Sequence, residues 1–78
     1  MKIELYTTTG CHLCEEALSL LHQAQRDGHT FKICEVEIAD SEYLIDTYGI
    51  RIPVIRSDDT RELNWPFSYS QLLDFIMF

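Results

Sequence analysis

The chain has 78 residues, enough for one small domain (1–78) with a modest core. Its formal charge of −7 disfavours nucleic acid, whose phosphates need Lys and Arg partners, and disfavours an anionic membrane surface. No apolar run approaches the roughly 18 residues of a membrane span, and Met1-Lys2-Ile3-Glu4 lacks the basic and apolar regions of a signal peptide, so a cytoplasmic protein is expected; a monomer is the expected state.

Lys2 to Tyr6 alternates apolar and polar residues, which predicts a first strand. Thr7 to Gly10 forms a short loop into a helix. Leu13, Ala17, Leu18, Leu21 and Ala24 follow helical spacing, with Glu15, Glu16, Gln23 and Arg26 on the wet side and Gly28 as a C-cap. Phe31 to Ile38 predicts a second strand, parallel to the first across a right-handed crossover. Asp40 or Ser41 caps a shorter helix that ends at Gly49.

Ile52 to Arg56 predicts a third strand led by Pro53. The turn Ser57-Asp58-Asp59-Thr60 returns it as a fourth, Arg61 to Trp65, in an antiparallel hairpin. Ser68 and Gln71 form a Ser-x-x-Gln capping box for a last helix, with Phe67 as a staple onto Leu72. The expected class is α/β, in the order β-α-β-α-β-β-α, with one mixed four-stranded sheet flanked by three helices.

The chemistry is concentrated in Gly10-Cys11-His12-Leu13-Cys14, between the first strand and the first helix. Positions i and i+3 share a helix face, so the two sulfurs can meet. First-turn N–H groups and the positive end of the helix dipole favour a thiolate at Cys11. An exposed attacking sulfur backed by a resolving one is what disulfide exchange requires. Cys11–Cys14 closes too small a loop to stabilise the fold by chain entropy, and an odd total of three cysteines is a poor structural framework, so a reducing compartment fits. The remaining thiol, Cys34, reads as a small hydrophobe in a strand covered on both faces.

A structural zinc needs about four ligands. Cys34, His12, His22 and His29 form no second paired cluster beside Cys11 and Cys14, so redox chemistry is the reading and no metal is expected. The competing reading is a non-catalytic module that holds a partner peptide or a metal in the groove beside Pro53.

A strand, Cys-x-x-Cys at a helix start and a downstream Ile-Pro opening a strand resemble the thioredoxin superfamily. The short length, together with Gly10-Cys11-His12-Leu13-Cys14-Glu15 and Asn64-Trp65-Pro66-Phe67, is similar to a bacterial glutaredoxin-like family. The resemblance implies a thioredoxin-like fold and a thiol–disulfide oxidoreductase serving electron transport and cell redox homeostasis. It implies Cys11 as nucleophile and Cys14 as resolving thiol. It also implies a cis bond before Pro53, and a substrate groove formed by His12, Leu13, Arg51, Ile52 and Pro53, where Ile52 offers its backbone. The implied partner is a disulfide-containing protein or a small thiol.

Two departures from the resemblance bear on the reductant. Glutaredoxins usually place a Lys three residues before the nucleophile, where this chain has Thr8. They also carry a Gly-Gly pair where it has Leu63-Asn64-Trp65-Pro66, and Pro66 has no N–H to donate. Arg51 is the basic residue left near the expected groove. No cofactor is therefore expected, with glutathione at most a weakly bound co-substrate. Thioredoxins keep a buried Asp about where this chain has Leu5.

Overall fold

The central strand, β1 (Lys2–Thr7), buries Ile3 and Leu5 on one face and Tyr6 on the other. The structure is a computed structural model that describes residues 1–77; Phe78, the last residue of the expected domain, lies outside the described residues. The chain continues through α1 (His12–Arg26), β2 (Lys32–Glu37), a 3-10 turn (Ile38–Asp40), α2 (Glu42–Tyr48), β3 (Val54–Ser57), β4 (Glu62–Asn64) and α3 (Tyr69–Met77). The strands lie in the order β2-β1-β3-β4. β2 runs parallel to β1, whereas β3 is antiparallel to both β1 and β4. The α/β class, element order and mixed sheet are those expected.

The pleat sends alternate residues to opposite faces, and each face gathers its own core. Ile3, Leu5 and Ile55 meet Ala17, Leu21 and Ala24 of α1 and Leu72 and Phe75 of α3. On the opposite face Tyr6 and Val54 pack with Ile38 and with Tyr48 of α2. The Tyr6 and Tyr48 rings stack there, with centroids 4.2 Å apart.

Local signals set the helix ends. At the end of α1, Gly28 (φ +104°) donates its N–H to Gln25 and the His29 N–H reaches Ala24, a Schellman closure. Ser41, rather than Asp40, caps α2. The capping box forms as read, since Ser68 Oγ accepts from the Gln71 N–H at 3.1 Å and Gln71 Oε1 from the Ser68 N–H at 2.8 Å. Gly49 ends α2 in a right-handed conformation, and a Cβ there would stand 2.4 Å from the Ile45 carbonyl oxygen.

The structure corrects the expectation for Cys34, which is exposed rather than core. β2 is an edge strand, and Cys34 pairs with Glu4, on the face that α2 covers. That helix has seven residues, and the core on its face takes in Val36 but not Cys34. Strand limits also move. β2 stops at Glu37, where the chain enters the 3-10 turn, and β3 starts at Val54, after Pro53.

Candidate functional site

Gly10, at φ +81°, turns the chain out of β1 in a region open to glycine, and the Cys11 N–H closes the turn on the Thr8 carbonyl at 3.1 Å. Cys11 is the N-cap of α1, and its Sγ accepts from the Cys14 N–H at 3.2 Å. The sulfur therefore occupies the place where a capping oxygen would satisfy a first-turn donor. Cys14 joins the buried stripe Cys14, Ala17, Leu21 and Ala24, and is 3% exposed. The two form a disulfide with a Cα–Cα separation of 5.2 Å.

The cysteines are thus unequal. Cys11 is partly open to solvent at the positive end of a 15-residue helix, and Cys14 faces the core. Between them, Leu13 is 45% exposed and belongs to neither core cluster, although its spacing had placed it on the apolar face. His12 is also exposed, with Nδ1 3.6 Å from Glu15 Oε2.

Pro53 is fully buried and follows a cis peptide bond. Tyr6 pairs with Val54, so Pro53 falls one step further, opposite Thr7 and beside the loop that leads to Cys11. Its carbonyl accepts the Trp65 N–H at 3.2 Å. The Ile52 N–H donates to the Tyr48 carbonyl at 3.0 Å, and Ile52 packs on the α2-side core. A second cis bond, Trp65–Pro66, has no signal in the sequence reading.

The structure ties Arg51 to neighbours. Its guanidinium donates to Glu62 Oε1 at 3.0 Å, Asn64 Oδ1 at 3.2 Å and the Thr47 carbonyl at 3.2 Å, and lies 5.1 Å from the centre of the Tyr48 ring. Glu62 also accepts from the Tyr48 hydroxyl at 2.6 Å. That hydroxyl bond, reinforced by Arg51, holds the Glu62 carboxyl below the usual glutamate range, while burial and the same bond push the Tyr48 phenol up.

One site residue escaped the sequence reading. Glu37 Oε1 accepts from both the Thr9 N–H (3.0 Å) and the Thr9 hydroxyl (3.2 Å), and Oε2 accepts from the Ala39 N–H (3.0 Å). The Ala39 bond foremost, with Thr8 and Thr9, keeps its carboxyl below the usual range. Glu37 thereby anchors the loop that presents Cys11. The parallel register that pairs Thr7 with Glu37 is the signal that could have found it.

Among the described residues no group of three or more His, Cys, Asp or Glu side chains is placed to hold a metal ion, and no helix is long and apolar enough to cross a membrane.

The model of the family described as "Glutaredoxin-like domain (DUF836)" matches residues 2–77. The X-ray structure of structural-genomics target protein XcR50 from X. campestris is 37% identical, with 96% of this chain and 95% of that chain covered and a TM-score of 0.83. Protein Ne2328 from Nitrosomonas europaea is 28% identical over 95% of this chain and 88% of its own, with a TM-score of 0.81. Thioredoxin 1 from Thermosipho africanus is similar in fold, at 16% identity, 99% and 91% coverage and a TM-score of 0.69. No curated protein sequence matches the chain.

Proposed function

The chain belongs to the glutaredoxin-like domain family and has the thioredoxin-like fold, and on that premise we propose that it is a thiol–disulfide oxidoreductase that reduces disulfides with Cys11 and Cys14. The observation that carries the reading is the asymmetry of the pair. Cys11 caps the helix and is partly exposed, while Cys14 is bonded to it and 3% exposed.

In the reduced protein the Cys11 thiolate attacks one sulfur of a substrate disulfide. A mixed disulfide forms, and the other substrate sulfur leaves as a thiolate that takes up a proton. Cys14 then loses its proton and attacks Cys11 Sγ. The Cys11–Cys14 bond forms and the second substrate sulfur leaves. The substrate gains two electrons and two protons; the protein supplies both electrons and the Cys14 proton, and solvent supplies the other proton. A thiol or dithiol reductant reopens the pair. First-turn N–H groups, including the Cys14 N–H, stabilise Cys11 as the attacking thiolate.

The exchange needs no cofactor. We place the protein as a monomer in a reducing compartment such as the cytoplasm, acting on a protein disulfide or a small thiol, with glutathione a weak co-substrate. The test is reduction of hydroxyethyl disulfide by purified protein in the presence of a dithiol. Turnover above the reductant alone, lost in Cys11→Ser, supports the reading. A wild-type rate equal to that of the reductant overturns it and leaves a binding module.

A further inference from the structure

Further along α1 from the cysteines, that helix and Trp65 border a second feature. Glu16, Ser19, Leu20 and Trp65 line a cavity of about 270 Å³, smaller than the roughly 300–1,000 Å³ of sites that take whole small molecules. It is of a size for one long side chain. Trp65 forms its wall. Its backbone N–H is bonded to the Pro53 carbonyl, and its ring meets the buried Phe67 edge-on with centroids 5.1 Å apart. Leu20 supplies an aliphatic surface, Ser19 a hydroxyl and Glu16 a carboxylate. Among the described residues nothing pairs with Glu16 by hydrogen bond or ion pair.

An aromatic face, an aliphatic strip and an unpaired carboxylate together match one kind of group. A long cationic side chain lays its stem on apolar surface, sets its charge over an indole and pairs its head with a carboxylate. The surrounding charge agrees. The protein carries −7 overall, Glu15 stands beside Glu16, and the Arg51 cation is already held by Glu62 and Asn64.

The position along the helix sets the reach. At a rise of about 1.5 Å and a rotation of about 100° per residue, Glu16 and Leu20 lie roughly 8 and 14 Å along α1 from Cys11 and about 140° and 180° around the helix from it. An extended chain that follows the helix surface, at a radius of about 5 Å, covers that span in about four to six residues. We propose that this cavity is a subsite for an arginine or lysine side chain of a polypeptide substrate, about four to six residues from the substrate's reactive cysteine. The subsite rests on the oxidoreductase reading above, and it narrows the substrate class to basic polypeptides.

Trp65 is the one tryptophan in the chain, so its fluorescence reports on the cavity directly. The probe is a short peptide with Ser at the cysteine position and Arg about five residues away, titrated at low salt beside the same peptide with citrulline, the uncharged isostere. An exposed ion pair together with a cation–π contact predicts about tenfold tighter binding of the Arg peptide. In Glu16→Gln, where the contact with the indole remains, the preference falls to about two- to fivefold. Equal affinities in the wild type overturn the proposal and leave an apolar pocket only. A tenfold preference that persists in Glu16→Gln overturns it as well. Because the probe has no sulfur, the outcome is independent of turnover. Failure to reduce hydroxyethyl disulfide, with the arginine preference intact, removes the oxidoreductase reading and leaves the cationic subsite standing.

Discussion

Glu37 holds Thr9 by two bonds, from its N–H at 3.0 Å and from its hydroxyl at 3.2 Å, across 28 positions of sequence. One carboxylate at the end of β2 thus fixes the loop between β1 and Cys11. Glu37→Ala is expected to keep the fold but release the loop. Amide exchange at Thr9 and Ala39 rises in that variant, while exchange in the centre of β1 is unchanged. Protection at Thr9 equal to wild type would show that the loop is held by its own turn alone.

The same carboxylate makes a pH prediction. Its folded pKa lies below the ordinary value of 4.5. The unfolded chain therefore binds this proton more readily, and the contribution to stability is fully present above about 4.5 and lost as pH falls through the lower folded value. Urea midpoints of wild type and Glu37→Gln should differ at neutral pH and converge in acid. A difference that grows in acid contradicts the sign.

What the sequence disclosed was local. The Cys-x-x-Cys spacing, the cap at Ser68 and the break at Gly28 depend on neighbours a few positions away, and each takes its expected place. The exposure of Cys34 depends on which strand lies at the sheet edge, a property that the β2 segment does not encode by itself. The partners of Arg51, Glu62 and Asn64, are set by where β4 falls in the sheet. The tie from Glu37 to Thr9 required the parallel register, which hydrophobic alternation leaves open.

Tyr48 and Glu62 offer a test on the α2 side of the sheet. Tyr48→Phe keeps the ring stacked on Tyr6 and removes only the hydroxyl bonded to Glu62. A partly exposed hydrogen bond to a charged group contributes about 1 kcal/mol, so a loss of that order is expected by urea denaturation. The Glu62 carboxyl, relieved of its strongest stabilising partner, titrates higher by NMR. An unchanged Glu62 titration would assign the depression to Arg51.

The three cysteines should separate chemically. Cys34 is exposed and outside the disulfide, so it alkylates in the oxidised protein, and only it does. After reduction Cys11 reacts next and the buried Cys14 last. Under the proposed mechanism Cys11→Ser forms no mixed disulfide with substrate, whereas Cys14→Ser accumulates one. Accumulation in Cys11→Ser would reverse the two roles.

Glutathione should bind poorly. Its carboxylates need charge-assisted donors, which contribute roughly twice a neutral hydrogen bond. The position that carries Lys in glutaredoxins is Thr8, and Pro66 has no N–H. The Arg51 guanidinium is occupied by Glu62, Asn64 and the Thr47 carbonyl, and the Ile52 N–H by Tyr48. Drawing Arg51 toward a ligand would break bonds that it already makes. Exposed Glu15 and Glu16 follow the cysteines on α1 and repel an anion, whereas Asp58 and Asp59 lie at the opposite end of β1, where Ser57 pairs with Ile3. The expected affinity is millimolar or weaker, about −4 kcal/mol at best. Reduced glutathione titrated into Cys14→Ser under non-oxidising conditions, followed by NMR, should give small shifts that do not saturate at micromolar ligand. Saturation there, with shifts at Arg51 through Pro53, would mean that Arg51 leaves Glu62 to bind the ligand. Glu62→Gln should then tighten binding further, because it weakens the hold on that guanidinium.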